Sequence, residues 1–249
     1  VHTHDELKLA FSIEFSEPRA DIWVIDAKDF TDSTDVLRSF LAEDELVRYE
    51  RFACQQSAAT YLAARAGLRF LLSCYLNLPA RSFVIKTEAN GKPFVENLYN
   101  LYFNVSHSSH MIVIAFAGNR LGVDIEHLER KVDLAAILRR FFSPTEQSSW
   151  AQYQQADTQR TFFRGWTRKE AVLKATGEGI AGLAHNEISF APDLQKAMIS
   201  YCGSKDAAVS WFFYELEPAP DFIAALACQV SLNVVRELRL LPEMVSAGT

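Results

Sequence analysis

Cysteine is scarce in this chain. The four present, Cys54, Cys74, Cys202 and Cys228, are scattered and never fall in a Cys-x-x-Cys pair. That excludes a disulfide scaffold and leaves a structural zinc site without its ligands. Reduced, mostly buried thiols are expected, and with them a cytoplasmic protein. Long apolar runs are also missing. None approaches the roughly 20 residues that cross a bilayer, so no membrane partner is expected. Basic residues are outnumbered, 25 Lys and Arg against 31 Asp and Glu, for a net charge of -6. This argues against a general nucleic-acid binder. The ten glycines and eight prolines form no linker or low-complexity tract. No G-x-S-x-G elbow exists, so Ser106-His107 does not announce a hydrolase; neighbours on a strand point apart. The start, Val1-His-Thr-His-Asp5, has neither an initiator methionine nor an apolar signal region and reads as a trimmed terminus. Residues 246–249 read as a frayed tail.

What is present is ordinary globular composition, 49% hydrophobic and 22% charged. The length suffices for one large core or two smaller ones. A faint internal repeat favours two. Asp21-Ile-Trp-Val-Ile-Asp26 reads as a strand, followed by a helix start at Leu41–Glu45. About 100 residues later Leu121-Gly-Val-Asp-Ile-Glu126 leads to Phe142-Ser-Pro-Thr-Glu146. In the second copy Ser143 and Glu146 fit a capping box, with Pro144 at the first helical position. At the same offset, the helical pattern of residues 61–72 aligns with that of residues 162–173. Strands are expected at 82–86 and 187–190, then at 111–116 and 222–227. The expected fold is α+β: two similar subdomains, 1–120 and 121–249, related by a pseudo-two-fold. Each is a long helix packed on a small antiparallel sheet. Pockets form at such junctions.

The chemistry-bearing residues gather around that junction. Asp124 and Glu126 lie two apart in an apolar run, so on a strand they share a face. Glu170 and Lys174 lie four apart on a predicted helix, one turn after Trp166, and Gly177 fits that helix's end. Three carboxylates suit Mg²⁺, which keeps open positions for phosphate oxygens; lysines beside them stabilise phosphate charge. Each piece alone has an ordinary reading: a solvated strand face, or a surface Glu-to-Lys pair. Asn90-Gly-Lys-Pro93 is a turn that presents Lys92. Asn104-Val-Ser-His-Ser108 offers hydroxyl, amide and imidazole groups suited to a phosphate. Arg48, Arg51, Arg65 and Arg69 lie along the first helical region. Arg130, Lys131, Arg139 and Arg140 flank the apolar Leu134–Leu138, a local basic patch that could dock an acidic helix.

In this order and spacing, these motifs resemble the series of the 4'-phosphopantetheinyl transferases. The double-length layout is similar to the surfactin-synthetase-activating (Sfp-type) branch. The resemblance covers roughly residues 40–190. It implies that coenzyme A binds between the halves. Its phosphopantetheine arm would pass to a serine of an apo acyl, peptidyl or polyketide carrier protein, releasing 3',5'-ADP. It also implies a single-chain monomer. Asp124, Glu126 and Glu170 match the Mg²⁺ ligands, with Mn²⁺ the alternative metal. Glu170, Lys174 and Glu146 match the catalytic positions. Arg48, Arg51, Lys92, Ser106, His107 and Lys169 match positions that contact coenzyme A. Glu45 and Thr60 depart from the family pattern, standing where relatives often carry basic residues; Arg65 and Arg69 are the candidate substitutes. The alternatives are a catalytically silent coenzyme A or nucleotide binder of the same fold, and a metal-dependent phosphohydrolase.

Overall fold

A computed structural model describes residues 17–88, 91–96, 101–155, 157–179, 183, 187–192, 199–201 and 209–246. Residues 1–5, Asn90, Cys202 and the tail 247–249 lie outside them, as do the expectations made for those positions. The chain opens with β1 (Arg19–Asp26), a 3-10 segment (Ala27–Ser33), α1 (Thr34–Phe40), α2 (Glu43–Glu50) and α3 (Gln55–Leu76). The strands β2 (Ile85–Thr87), β3 (Pro93–Val95), β4 (Tyr102–Ser108), β5 (Met111–Ala117) and β6 (Leu121–His127) follow. Then come α4 (Leu134–Phe141), α5 (Pro144–Tyr153) and α6 (Thr158–Thr176). The chain returns through β7 (Ile199–Tyr201), β8 (Val209–Leu216), β9 (Phe222–Cys228), β10 (Val234–Arg239) and α7 (Pro242–Ser246).

Local chemistry sets the helix ends. The Ser143 hydroxyl accepts from the Glu146 N–H at 3.2 Å, and the Glu146 carboxylate accepts from the Ser143 N–H at 2.7 Å. These satisfy orphan donors of the first turn of α5, and Pro144 costs nothing there because its missing N–H has no helical partner. Asp157 caps α6, accepting from the Arg160 N–H at 2.9 Å. Gly177 ends the same helix at φ +80°, a left-handed conformation that glycine adopts without a Cβ clash.

The strands form two four-stranded sheets, ordered β10-β1-β5-β4 and β6-β9-β8-β7, and a small β2-β3 hairpin. The order β1-β5-β4 in one half repeats as β6-β9-β8 in the other, with antiparallel pairing throughout. The first sheet is mixed, not purely antiparallel as expected, because β10 adds to β1 in parallel. Three apolar clusters follow from strand alternation. Trp23, Ile25, Ile112, Ile114 and Phe116 face α3. Ile22, Val24, Val113, Val123 and Ile125 fill the space between the sheets. Ile223, Ala225, Ala227, Trp211 and Phe213 face α6. The layers therefore run helix, sheet, sheet, helix. Asp124 and Glu126 point away from the inter-sheet core, on the α6 side of β6.

Two expected strands differ. The strand expected at 82–86 runs instead from Ile85 to Thr87, and residues 187–190 form no strand. Side chains have claimed the backbone groups of that second stretch. Ile188 N–H donates to Glu146 at 2.8 Å, while Arg168 donates to the carbonyls of Ser189 at 2.6 Å and Ala191 at 3.1 Å. Cysteine burial is also less than expected: Cys228 is buried, Cys74 half-buried and Cys54 exposed.

Candidate active site

Helix α6 crosses β6 at Gly122. A Cβ there would lie 2.0 Å from the Ala171 carbonyl oxygen and 2.5 Å from the Ala175 nitrogen. Only glycine allows this approach, and it seats the helix against the strand that bears Asp124 and Glu126. Most of α6 from Thr161 to Ala175 is buried; Trp166, Glu170 and Lys174 form its partly exposed stripe at a spacing of four. Trp166 stacks on Phe162, ring centroids 6.3 Å apart, and meets Phe141 and Phe142. The two residues below it face the cleft.

Lys174 does not simply neutralise Glu170 along the helix. Its ammonium donates to Asp124 Oδ1 at 2.6 Å and to Ser106 Oγ at 2.7 Å. Ser106 Oγ donates to the same Asp124 oxygen at 2.9 Å. Asp124 Oδ2 is buried with no hydrogen-bond partner. Glu126 is held by Ser108 Oγ at 3.2 Å on one oxygen and by Arg130 at 2.6 Å on the other. A cavity of about 600 Å³ is lined by Ser106, His107, Ser108, Asp124, Glu126 and Lys174, among others. A second, of about 280 Å³, is lined by Lys92, Pro93, Asn104, Glu170 and Lys174. The two share Val105 and Lys174, so they make one groove along the junction of the sheets.

The electrostatics of the groove are those of crowded carboxylates. Burial, then the Asp124 charge, pushes the Glu170 carboxyl up to about 7, against the opposing pull of Lys174. Glu126 is raised by the same two causes in the same order. Crowding by protein around the His107 ring, then the Lys174 charge, holds that imidazole below its ordinary value although its surface is accessible. Lys92 is lowered by burial, with Glu88 opposing. Its turn is closed by Glu88 N–H to the Lys92 carbonyl and Gly91 N–H to the Glu88 carbonyl, both at 2.9 Å, with Gly91 at φ +91°.

No group of three His, Cys, Asp or Glu side chains is gathered to hold a metal among the described residues. The residues nonetheless fit a hard divalent cation. Their donors are carboxylate oxygens, one of them buried without a partner, and burial, then the charge of Asp124, raises the other two carboxyls.

Several of the expected site residues stand elsewhere. Glu146 and Lys169 are both 1% exposed and bind each other, Lys169 donating to the two carboxylate oxygens at 2.8 and 2.7 Å over the Phe142 ring. Neither lines the groove; a phosphate contact by Lys169 would have to break this pair. Ser106 lines the groove, but its hydroxyl is committed to Asp124 and Lys174. Arg48 and Arg51 are exposed at the end of α2, Arg48 lying over the Tyr61 ring. The suggested substitutes for their missing basic neighbours are taken. Glu45 binds Arg65 at 2.6 Å and Arg69 at 2.5 Å, inside the fold. Sequence reasoning missed Asn104 and Ser108 as partners of β6 and Arg130 as a partner of Glu126. The period-two polar run Asn104-x-Ser106-x-Ser108 was the available signal, since it puts all three on one strand face.

Comparison with known proteins gives the family. Residues 120–227 match the 4'-phosphopantetheinyl transferase superfamily, and residues 27–119 match the N-terminal region of a 4'-phosphopantetheinyl transferase. The 4'-phosphopantetheinyl transferase HetI of Nostoc sp. is 34% identical over 195 residues, 77% of this chain and 79% of the relative. The psf-1 transferase of Bacillus pumilus is 32% identical over 63% of this chain and 66% of its own length. Sfp of Bacillus subtilis is 29% identical over 57% and 63%. With both halves matched and the carboxylates of β6 and α6 converging on one groove, the chain belongs to the 4'-phosphopantetheinyl transferase superfamily.

Proposed function

We propose that the protein transfers the 4'-phosphopantetheine of coenzyme A to a serine hydroxyl of an apo acyl, peptidyl or polyketide carrier protein, releasing 3',5'-ADP. The observation that carries this reading is that Asp124, Glu126 and Glu170 line one groove and feel one another's charge, with Lys174 bound to Asp124. Asp124, Glu126 and Glu170 would hold Mg²⁺ or Mn²⁺, whose charge would neutralise the pyrophosphate of coenzyme A. Glu170 is the side chain of this set that would take the proton of the incoming serine hydroxyl. Lys174 stands beside it to stabilise the leaving phosphate. His107 and Lys92 line the two ends of the groove and are the groups placed to meet phosphate oxygens. Arg48 and Arg51 supply exposed guanidinium groups for a further phosphate.

In this reading the halves 1–120 and 121–249, related by a pseudo-two-fold, share one site. One chain therefore suffices, and the enzyme works as a cytoplasmic monomer. Arg139 and Arg140 are exposed on α4 and form the docking face for an acidic carrier. Intact mass spectrometry of an apo carrier incubated with protein, coenzyme A and Mg²⁺ tests the proposal. One phosphopantetheine gained on the carrier, and lost with EDTA, supports it. Coenzyme A consumed without carrier modification points to a phosphohydrolase. No modification across several carrier classes rejects it.

A further inference from the structure

The two sheets meet at β4 and β6 without a backbone ladder between them. Three side chains from one face of β4 take its place. Asn104 Oδ1 accepts from the Val123 N–H at 2.9 Å, Ser106 Oγ from the Ile125 N–H at 3.3 Å, and Ser108 Oγ from the His127 N–H at 3.1 Å. The register is regular: every second residue of β4 meets every second N–H of β6. Those N–H groups lie on the edge of β6 that β9 does not use. Left unpaired in this buried junction, each would cost as much as a lost hydrogen bond.

The ladder also fixes which way each hydroxyl points. A serine has one hydrogen to donate and two lone pairs. In Ser106 the lone pairs meet the Ile125 N–H and the Lys174 ammonium, and the hydrogen goes to Asp124. In Ser108 a lone pair meets the His127 N–H and the hydrogen goes to Glu126. An ionised carboxylate only accepts, so with a lone pair held by the β6 backbone each hydroxyl turns its hydrogen to the carboxylate of that same strand. Asn104 is the rung without a carboxylate: it closes the junction and orients nothing in the groove.

We propose that Ser108 is a positioning residue for Glu126, a donor locked in direction by the His127 N–H, which presents this carboxylate to the divalent cation. The inference rests on the reading of Asp124, Glu126 and Glu170 as metal ligands. It extends that reading to a residue of the groove wall that is not itself one of the ligands. Outer partners of ligating carboxylates typically set metal affinity by roughly 10–100-fold, and Ser108 has that place here. Ser106 has the equivalent place for Asp124, but its additional bond to Lys174 would blur any variant.

The test uses Mn²⁺ as a spectroscopic probe of metal binding, measured without coenzyme A or carrier, on the full protein and on Ser108→Ala, Ser108→Thr and Asn104→Ala. Amide hydrogen exchange of His127 and Val123 is followed on the same samples. In Ser108→Ala the His127 amide should exchange faster and Mn²⁺ affinity should fall about tenfold; Ser108→Thr, which keeps the hydroxyl, should restore both. Asn104→Ala should speed exchange at Val123 and lower the melting temperature while keeping Mn²⁺ affinity. Unchanged Mn²⁺ affinity in Ser108→Ala, with faster His127 exchange, would overturn the proposal by showing a purely structural ladder. An equal loss of affinity in Asn104→Ala would overturn it too, because general loosening would then explain the effect. If the unaltered protein shows no saturable Mn²⁺ binding, the metal assignment itself falls, an outcome visible before any variant is compared.

Discussion

Replacing Gly122 with alanine should disable the site from behind. The new Cβ would sit 2.0 Å from the Ala171 carbonyl oxygen and 2.5 Å from the Ala175 nitrogen. Real contacts of this kind essentially never close below 3.0 Å, so α6 must recede from β6 by about 1 Å. Both obstructing atoms are backbone, and no rotamer change relieves them. The residues just before them in the chain are Glu170 and Lys174. A recession of that size stretches the Lys174 bonds to Asp124 and Ser106 beyond hydrogen-bond range. Overpacking of this sort costs about 1–3 kcal/mol, and each kcal/mol lowers the melting temperature of a chain of this size by roughly 2–4 °C. A misplacement of about 1 Å at reacting groups costs roughly 100-fold in rate. Calorimetric melting and carrier loading followed by mass spectrometry measure the two effects. Gly67→Ala is the internal control. Its Cβ would meet Ile25 Cδ1 at 2.5 Å and Leu240 Cδ2 at 3.3 Å, flexible side-chain ends in the core beneath α3. It should lose some stability and keep its turnover. A folded Gly122→Ala protein that loads carrier at the unaltered rate would refute the argument that this crossing sets the position of Glu170 and Lys174.

Four further outcomes are expected. Asp124→Ala should abolish transfer while the far-ultraviolet spectrum and a cooperative melt persist; turnover in the folded variant would contradict the metal assignment. Lys169→Ala should destabilise by about 3–5 kcal/mol, because it strands the buried Glu146 carboxylate. A denaturant titration measures the loss, and an unchanged midpoint would contradict it. The Glu170 carboxyl, raised to about 7, is increasingly protonated as the pH falls below neutrality. An incoming cation must displace that proton, so Mn²⁺ affinity should weaken toward acid and strengthen toward alkali; equal affinity a unit either side of neutrality would count against it. Arg139→Glu combined with Arg140→Glu should raise the KM for carrier protein more than that for coenzyme A, and equal effects on both would move the docking face elsewhere.

Residues 61–72 and 162–173 could be read as helices because each places apolar side chains at helical spacing, and both lie within the two long helices of the fold. The Ser143–Glu146 capping box was legible because its bonds are local. The pairing of β10 with β1 was not, since nothing near residue 236 announces a partner more than 200 positions away. The stretch 187–190 has the alternation of a strand but gives its backbone groups to Glu146 and Arg168, a choice made by tertiary packing. At the site, Asp124, Glu126, Glu170 and Lys174 could be placed together from spacing and resemblance. Arg65 and Arg69 looked available for a phosphate because their captor, Glu45, belongs to another helix. Lys169 looked equally available, being next to Glu170; a shift of one residue on a helix turned it into the interior instead.

The parallel pairing of β10 with β1 has a consequence for biosynthesis. Asp21 is fully buried, and Arg236 binds it through two contacts of 2.7 Å across 215 positions of chain. As the protein leaves the ribosome, the sheet has an open edge along β1 and an incompletely neutralised aspartate until residues 234–239 have emerged. The first sheet should therefore close only once β10 has been made, and separately expressed fragments split at residue 120 should need each other to fold. Strand β10 acts as a latch that reports translation has passed residue 239.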